Sequence, residues 1–298
     1  MTAETSVPAD PRPAVPQKGP RADTAWRRLL RNPSAVIGLS VLTLILLMAL
    51  TADYFYPTSP MRMVARPLIW PFTDWAYPLG TDRLGRDITA GIFHGARISL
   101  LVGVAATLLS IAIGIVVGAL CGFYGSWVEG ILMRAVEITQ TIPPFLFALV
   151  LVAIMGPTVT NVTIALGVTA WPPIARVVRA EFLSLSRREF VQAGIVAGMS
   201  DLRLIFRLIL PNALAPVIVL SSLVMAGAVL SESALAFLGF TDPNVMSWGS
   251  IIGNGRSDIR IAWYISAIPG VFILITVLAL NQLNEGLNDA LNPRLKGL

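Results

Sequence analysis

Residues 98–128 read ISLLVGVAATLLSIAIGIVVGALCGFYGSWV, 31 positions without an Asp, Glu, Lys or Arg. About 20 consecutive apolar residues carry a helix across the hydrocarbon core of a bilayer. This run therefore sets the class, an all-α membrane protein. Working outward, four more charge-free runs cover 32–52, 138–175, 208–231 and 261–284. The run 138–175 holds 38 residues, too many for one span. Gly156-Pro157-Thr158 punctuates it as a turn, which gives helices over 138–155 and 160–176. The reading is six transmembrane helices within 32–284.

Composition agrees. Of 298 residues, 55% are apolar and 13% charged, against about 25% charged in an ordinary soluble domain. Low charge and high hydropathy exclude intrinsic disorder. Cys121 is the lone cysteine and His94 the lone histidine, so no disulfide framework and no metal site is expected.

An even number of spans puts both termini on one side. With the termini inside, segments 1–31, 129–137, 176–207 and 285–298 hold 15 basic residues, and the outer segments 53–97 and 232–260 hold seven. Basic residues favour the cytoplasmic side, so both termini are expected there. The chain then divides into a cytoplasmic tail with an interfacial helix (1–31), the six-span domain (32–284) and a cytoplasmic C-terminal tail (285–298). Within the domain lie external loops at 53–97 and 232–260 and a cytoplasmic loop at 176–211. Five prolines within 1–22 make that stretch an irregular tail, and Trp26-Arg27-Arg28-Leu29-Leu30-Arg31 reads as a helix at the lipid headgroups. The net charge of +5 is explained by such cytoplasmic segments facing the bilayer, and no nucleic-acid partner is expected.

The chain holds no engine of its own. Neither Lys18 nor Lys296 lies in a G-x-x-x-x-G-K-[ST] phosphate loop, and there is no G-x-S-x-G elbow. No catalytic residue is expected. A secondary carrier would need intramembrane charges, which the spans almost lack. Arg134 and Glu232 fall near span ends, where snorkelling to the interface is expected.

The loop between spans four and five is too long for a plain connector, since helix–helix links usually take about 2–8 residues. From Arg187 to Asn212 it reads RREFVQAGIVAGMSDLRLIFRLILPN. Phe190, Gly194, Val196 and Ala197 give one face with small residues, and Leu202, Ile205, Phe206 and Ile209 recur with helical spacing. Ser200 or Asp201 is placed to cap a second helix. The expectation is two short helices bent at Gly198-Met199-Ser200, a partly apolar knuckle suited to a groove on a soluble partner. An amphipathic stretch on the lipid surface is the other reading.

This pattern resembles the EAA loop of ABC importer permeases, E-A-A-x3-G-x9-I-x-L-P. Gln192-Ala193-Gly194, Gly198 and Leu208-Ile209-Leu210-Pro211 match its spacing throughout. Gln192 replaces the Glu, Gly194 the second Ala and Leu208 the Ile, and Glu189 stands one turn earlier. Other stretches resemble the second-permease type of the dipeptide/oligopeptide/nickel branch. They are Tyr77-Pro78-Leu79-Gly80-Thr81-Asp82-Arg83-Leu84-Gly85-Arg86-Asp87, Leu235-Ala236-Phe237-Leu238-Gly239, Ser247-Trp248-Gly249, and Gly286 to Arg294.

The resemblance implies a type I importer permease fold with a cytoplasmic coupling helix, in the bacterial inner membrane. It implies a homologous second permease, two ATPase subunits that bind ATP and magnesium, and an extracytoplasmic binding protein. Cargo would be dipeptides or oligopeptides, or in the same family nickel, glutathione or another small solute. Glu189, Gln192, Ala193, Gly194, Gly198, Leu208, Leu210 and Pro211 would couple to the ATPases, with Gly198 allowing the bend and Pro211 ending the knuckle. Gly80, Thr81, Asp82, Gly85, Arg86 and Asp87 form a tight polar turn before span two, which braces the external rim, docks the binding protein, or both. Pro143 and Pro144 are expected to kink span three, for packing or to line a path. Ser221, Ser222 and Ser231 suit either a helix interface or a polar wall of that path.

Overall fold

A computed structural model describes Arg27 and residues 29–291. The proline-rich tail, most of the expected interfacial helix and the terminal residues 292–298 lie outside the described residues.

Asn32 caps the first helix, α1 (Pro33–Leu50), accepting from the amides of Ser34 and Ala35, with Pro33 fixing the first turn. A short turn of helix, α2 (Ala52–Phe55), follows. The next helix, α3 (Ile88–Tyr124), starts ten residues before the expected span and so shortens the external loop 53–97. Charge marks where a helix leaves lipid, and it does not stop a helix. Arg97 donates to the Asp53 carboxylate at 2.9 Å, and the His94 ring lies 3.0 Å from the Tyr56 carbonyl, so both polar groups are satisfied on the helix flank. Gly125, at φ +59°, ends α3 in a conformation favoured by glycine.

Segment 129–137, expected as a loop, belongs to α4 (Ser126–Thr141). Pro143-Pro144 then breaks the chain, and α5 (Pro144–Met155) leaves at 87° to α4. Gly156 ends α5 and Thr158 caps α6 (Val159–Ser186), so the expected turn is present. Helix α6 runs ten residues beyond Arg176, however, and the expected cytoplasmic loop loses its first third to it. Two short elements complete the knuckle: α7 (Glu189–Val196) and the start of α8 (Asp201–Phe237). Beyond it come α9 (Trp248–Gly255) and α10 (Tyr264–Leu291).

Among the described residues four helices, α1, α3, α8 and α10, are long and apolar enough to cross a membrane, and the bent pair α4–α5 makes a fifth if counted as one span. The expected count of six needs α6, which is 28 residues long but carries Asn161, several threonines and its own charged end. Among the described residues there is no β-strand, only two isolated bridges, Met63 with Arg86 and Thr81 with Asp87.

The centre of the bundle is the α3–α6 crossing. Gly114, Gly118 and Gly122 lie on one stripe of α3, and α6 presses directly on it. At one end of the bundle α1, α3, α9 and α10 pack together against Leu79 of the turn 77–87; at the other, Ala119, Phe182, Val191, Ile205 and Ile209 join α3 and α6 to the knuckle. Helices α3 and α8 thus connect the two ends, each 37 residues and about 55 Å long at 1.5 Å per residue.

Candidate functional site: the knuckle and the turn at opposite ends of the bundle

The knuckle is built by a turn that only glycine makes cheaply. Gly198 sits at φ +74°, and the Met199 amide reaches back 3.1 Å to the Gly194 carbonyl, closing the end of α7. Gly194 is buried, with Leu204 and Leu208 methyls 2.9 Å from where a Cβ would stand, so α7 and α8 nest there. Ser200 occupies the capping position of the second element without a side-chain hydrogen bond.

The second element is not a separate short helix. It continues through a π turn, Leu204–Ile209, into the long apolar part of α8. Pro211 therefore does not end the knuckle. A proline brings no N–H, and the wider i→i−5 turn before it relieves the clash of its ring with the preceding carbonyl. The knuckle and span five become one continuous rod.

The apolar residues divide between two surfaces rather than sharing one face. Val191, Gly194, Leu204, Ile205 and Ile209 point into the bundle. Phe190, Ile195, Val196, Leu202 and Phe206 point out, Val196 being 88% exposed. Gln192 donates to the Ser186 carbonyl at 2.8 Å, tying α7 to the end of α6, while Ala193 and Pro211 are exposed. Leu208 and Leu210 pack partly buried against the inner cluster. An uncovered apolar surface of this kind at a helix end marks contact with a protein partner or with lipid.

Beside the knuckle, Glu129 on α4 pairs with Arg179 on α6, which donates both Nε and Nη2 to one carboxylate oxygen. Glu129, Arg134, Glu137, Arg176 and Arg179 line an open charged cavity of about 650 Å³ there. Arg134 is exposed.

At the far end, the turn 77–87 is self-bracing. Gly80 (φ +81°) and Gly85 (φ +74°) bring the backbone so close to Ile69 and Ala65 that a Cβ would lie 2.3 and 2.1 Å from their carbonyl oxygens. The buried Thr81 hydroxyl accepts from the Ile69 amide and donates to the Arg66 carbonyl. One Asp82 oxygen accepts from the amides of Leu84 and Arg86, both at 2.8 Å. Asp87 caps α3 through the Thr89 amide; burial pushes its carboxyl above the ordinary value, and those hydrogen bonds only partly oppose the shift. Asp53, by contrast, is held low by the Arg97 hydrogen bond. The Tyr264 hydroxyl, 2.9 Å from the Ile69 carbonyl, pins the turn to α10. Arg83 and Arg86 do not pair with Asp82 or Asp87: Arg83 stands 3.9 Å from Asp258, and Arg86 reaches the Met61 sulfur at 3.7 Å.

Glu232 overturns its expectation. It is 2% exposed, deep between helices rather than snorkelling. Ser99 on α3 donates to it at 3.1 Å, and Ser247 and Ser233 also hydrogen-bond it. Ser247 caps α9, and the Trp248 indole beside it donates to the Ile92 carbonyl at 3.0 Å. The carboxylate therefore knots α3, α8 and α9. A lone acid followed by Ser233-Ala234 inside an apolar run was the available signal. Glu232→Ala strands these hydroxyls and opens a void, and is expected to cost about 2–4 kcal/mol; Glu232→Gln keeps shape and acceptor and should cost less than half of that. Thermal unfolding of the detergent-solubilised variants checks the ranking, and equal melting temperatures for Ala, Gln and the parent would refute it.

The expected path residues are not gathered into one polar wall. Ser221 and Ser222 donate back to carbonyls of their own helix, at 2.6 and 2.9 Å, and Ser222 is buried. Ser231 is half-buried, and Pro143 and Pro144 are exposed at the α4–α5 break.

Residues 114–297 match the family model described as the binding-protein-dependent transport system inner membrane component. The chain belongs to this family. Residues 21–79 also match the N-terminal TM domain of oligopeptide transport permease C. The inner membrane component is 37% identical over 278 residues to the di/tripeptide transport system permease protein DppC of Pseudomonas aeruginosa, covering 91% of each chain. It is 36% identical to the oligopeptide transport system permease protein OppC of Haemophilus influenzae, covering 91% of this chain and 88% of that one. An inward-facing structure of the MetNI methionine ABC transporter matches with a TM-score of 0.56 at 18% identity, over 68% of this chain and 96% of that one. The fold is that of type I ABC importer permeases. The component is a multi-pass inner membrane transport subunit rather than an enzyme.

Proposed function

We propose that this chain is one of two permease subunits in an ABC importer of dipeptides or oligopeptides. Two ATPase subunits bind ATP and magnesium and dock on the knuckle, and an extracytoplasmic binding protein delivers cargo to the end that carries the turn 77–87. Both termini and the knuckle face the cytoplasm, and α6 is the sixth span. The observation that carries the reading is the uncovered apolar surface of Phe190, Ile195, Val196, Leu202 and Phe206. It stands at one end of a continuous rod whose other end is knotted at Glu232.

The mechanism follows from that rod. Closure of the ATPase dimer displaces the knuckle. Because α8 is unbroken from Asp201 to Phe237, the displacement passes along it rather than being absorbed by a hinge. Glu189, Gln192, Ala193, Gly194, Gly198, Leu208, Leu210 and Pro211 shape this coupling segment. The turn from Gly80 to Asp87 holds the external rim rigid while the bundle switches access. The path lies between this chain and its partner, with Pro143, Pro144, Ser221 and Ser231 as candidate lining. The names of the relatives support peptide cargo.

The test is reconstitution of the complete complex in proteoliposomes with the binding protein outside. ATP-dependent accumulation of a labelled dipeptide is expected. Dipeptide uptake that needs no ATPase subunit, or no uptake by a complex with normal ATPase activity, would reject the proposal.

A further inference from the structure

Arg86 is the residue of the turn whose charge the fold leaves unanswered. Its backbone amide serves Asp82, but its guanidinium finds only the Met61 thioether, a weak acceptor, and its Nε is buried without any partner. Among the described residues it forms no ion pair. The nearby acids are committed elsewhere: Asp82 to the turn, Asp87 to the cap of α3. The Nη groups of a guanidinium held this way are prepared for a planar anion, which can take two donors at once.

Arg86 lines a cavity of about 320 Å³ beside the C-terminal turn of α8 and the flank of α9, near the lower limit of about 300 Å³ for small-molecule sites. Arg256, Asn254 and Ser250 line the same cavity and add a second cation and neutral polar groups. Asp242 lines it too, with one carboxylate oxygen taken by Asn244, and the helix end beside it carries the negative pole of the α8 dipole. One small cavity thus offers two arginines for an anion and a carboxylate with a helix C-terminus for a cation.

We infer that this cavity is a subsite for a small zwitterion of dipeptide size, its carboxylate on Arg86 and Arg256 and its ammonium toward Asp242. The inference rests on the importer reading and deepens it, since it places a recognition step on the permease itself. Cargo leaving the binding protein would be held by its charged termini, which every dipeptide shares, and side chains would go unread.

The test uses the full transporter complex in nanodiscs without the binding protein. Radiolabelled alanyl-alanine and its C-terminal amide are compared by equilibrium binding. The parent complex should bind the free acid about tenfold or more tightly than the amide, the usual loss for a hydrogen-bonded charge. Arg256→Gln, at an exposed position, should bring the free acid down to the level of the amide. Arg86→Gln should do the same, and Arg86→Lys, which keeps the charge without the fork, should fall between. Asp242→Asn should weaken alanyl-alanine and leave N-acetyl-alanyl-alanine unchanged. Equal binding of acid and amide by the parent complex overturns the inference. So does unchanged peptide binding in both glutamine variants when they need more binding protein for half-maximal uptake, since the cavity would then take an acidic side chain of that protein. Normal dipeptide uptake in the presence of either result leaves the importer reading standing; absence of uptake by the complete parent system removes that reading instead.

Discussion

Gly118→Leu is expected to stop this chain from accumulating in the membrane as a folded protein. A Cβ at Gly118 would lie 2.5 Å from the Ala175 carbonyl oxygen and 2.7 Å from the Val178 Cβ. Gly114 and Gly122 are equally closed, with Ile174 at 2.6 Å and the Phe182 Cβ at 2.5 Å. The obstacles include backbone and Cβ atoms, so no rotamer change relieves them. The helices must separate along three turns, and hydrophobicity cannot compensate, because lipid offers the same apolar contact as a neighbouring helix. Close approach is what holds α3 to α6. Overpacking typically costs about 1–3 kcal/mol and more where backbone must move, against a total stability of about 5–15 kcal/mol. Leucine at the centre of the stripe is expected at or above the top of that range, and Gly118→Ala below it. Gly130→Leu is the control, since nothing lies within 4 Å of its Cβ position on α4. Quantitative blotting of membrane fractions with a thermal melt of the extracted protein gives the answer. Parent-like yield and melting temperature for Gly118→Leu would show that the crossing is not close-packed.

That stripe was present in the sequence, as glycines four apart in a charge-free run, but an apolar run does not say which side faces a neighbour. The same limit explains the other differences. Local signals are readable: Gly156 to Thr158 separates α5 from α6, Pro143-Pro144 breaks the chain, and Gly198 turns the knuckle. Each acts within a few residues. The burial of Glu232 is not legible locally because its partners, Ser99 and Ser247, stand outside its own helix. The start of α3 is hidden in the sequence because the groups that satisfy Arg97, the Asp53 carboxylate and the Ala49 carbonyl, lie more than 40 residues away. Pro211 reads as a stop because a π turn leaves no mark in the sequence. The knuckle itself is legible in its motif spacing, whereas its division into inner and outer apolar residues is set by packing.

The outer residues set the second large effect. Val196→Glu combined with Phe206→Glu should leave the fold intact and abolish ATP-driven uptake. Both side chains are largely exposed, 88% and 62%, so their replacement removes little from the bundle; such surface changes usually stay within about 0.5 kcal/mol. In a complex they would be buried, and burying an apolar side chain of this size is worth about 1.5–3 kcal/mol. Losing two of them, and presenting two carboxylates to an apolar groove, should lower docking by at least about 100-fold. Gly198→Trp separates geometry from contact. Nothing lies within 4 Å of its Cβ position, so bulk is tolerated, but φ of +74° costs a non-glycine residue about 1–2 kcal/mol. The bend should relax and α7 shift against α8 while Val196 and Phe206 remain. The double variant is therefore expected to fail in recovery of ATPase subunits from mild detergent, and Gly198→Trp to recover them yet hydrolyse ATP without uptake. Full uptake by the double variant would mean that the outer face of the knuckle touches lipid rather than a protein partner, and coupling would have to be sought along the charged α4–α6 cavity instead.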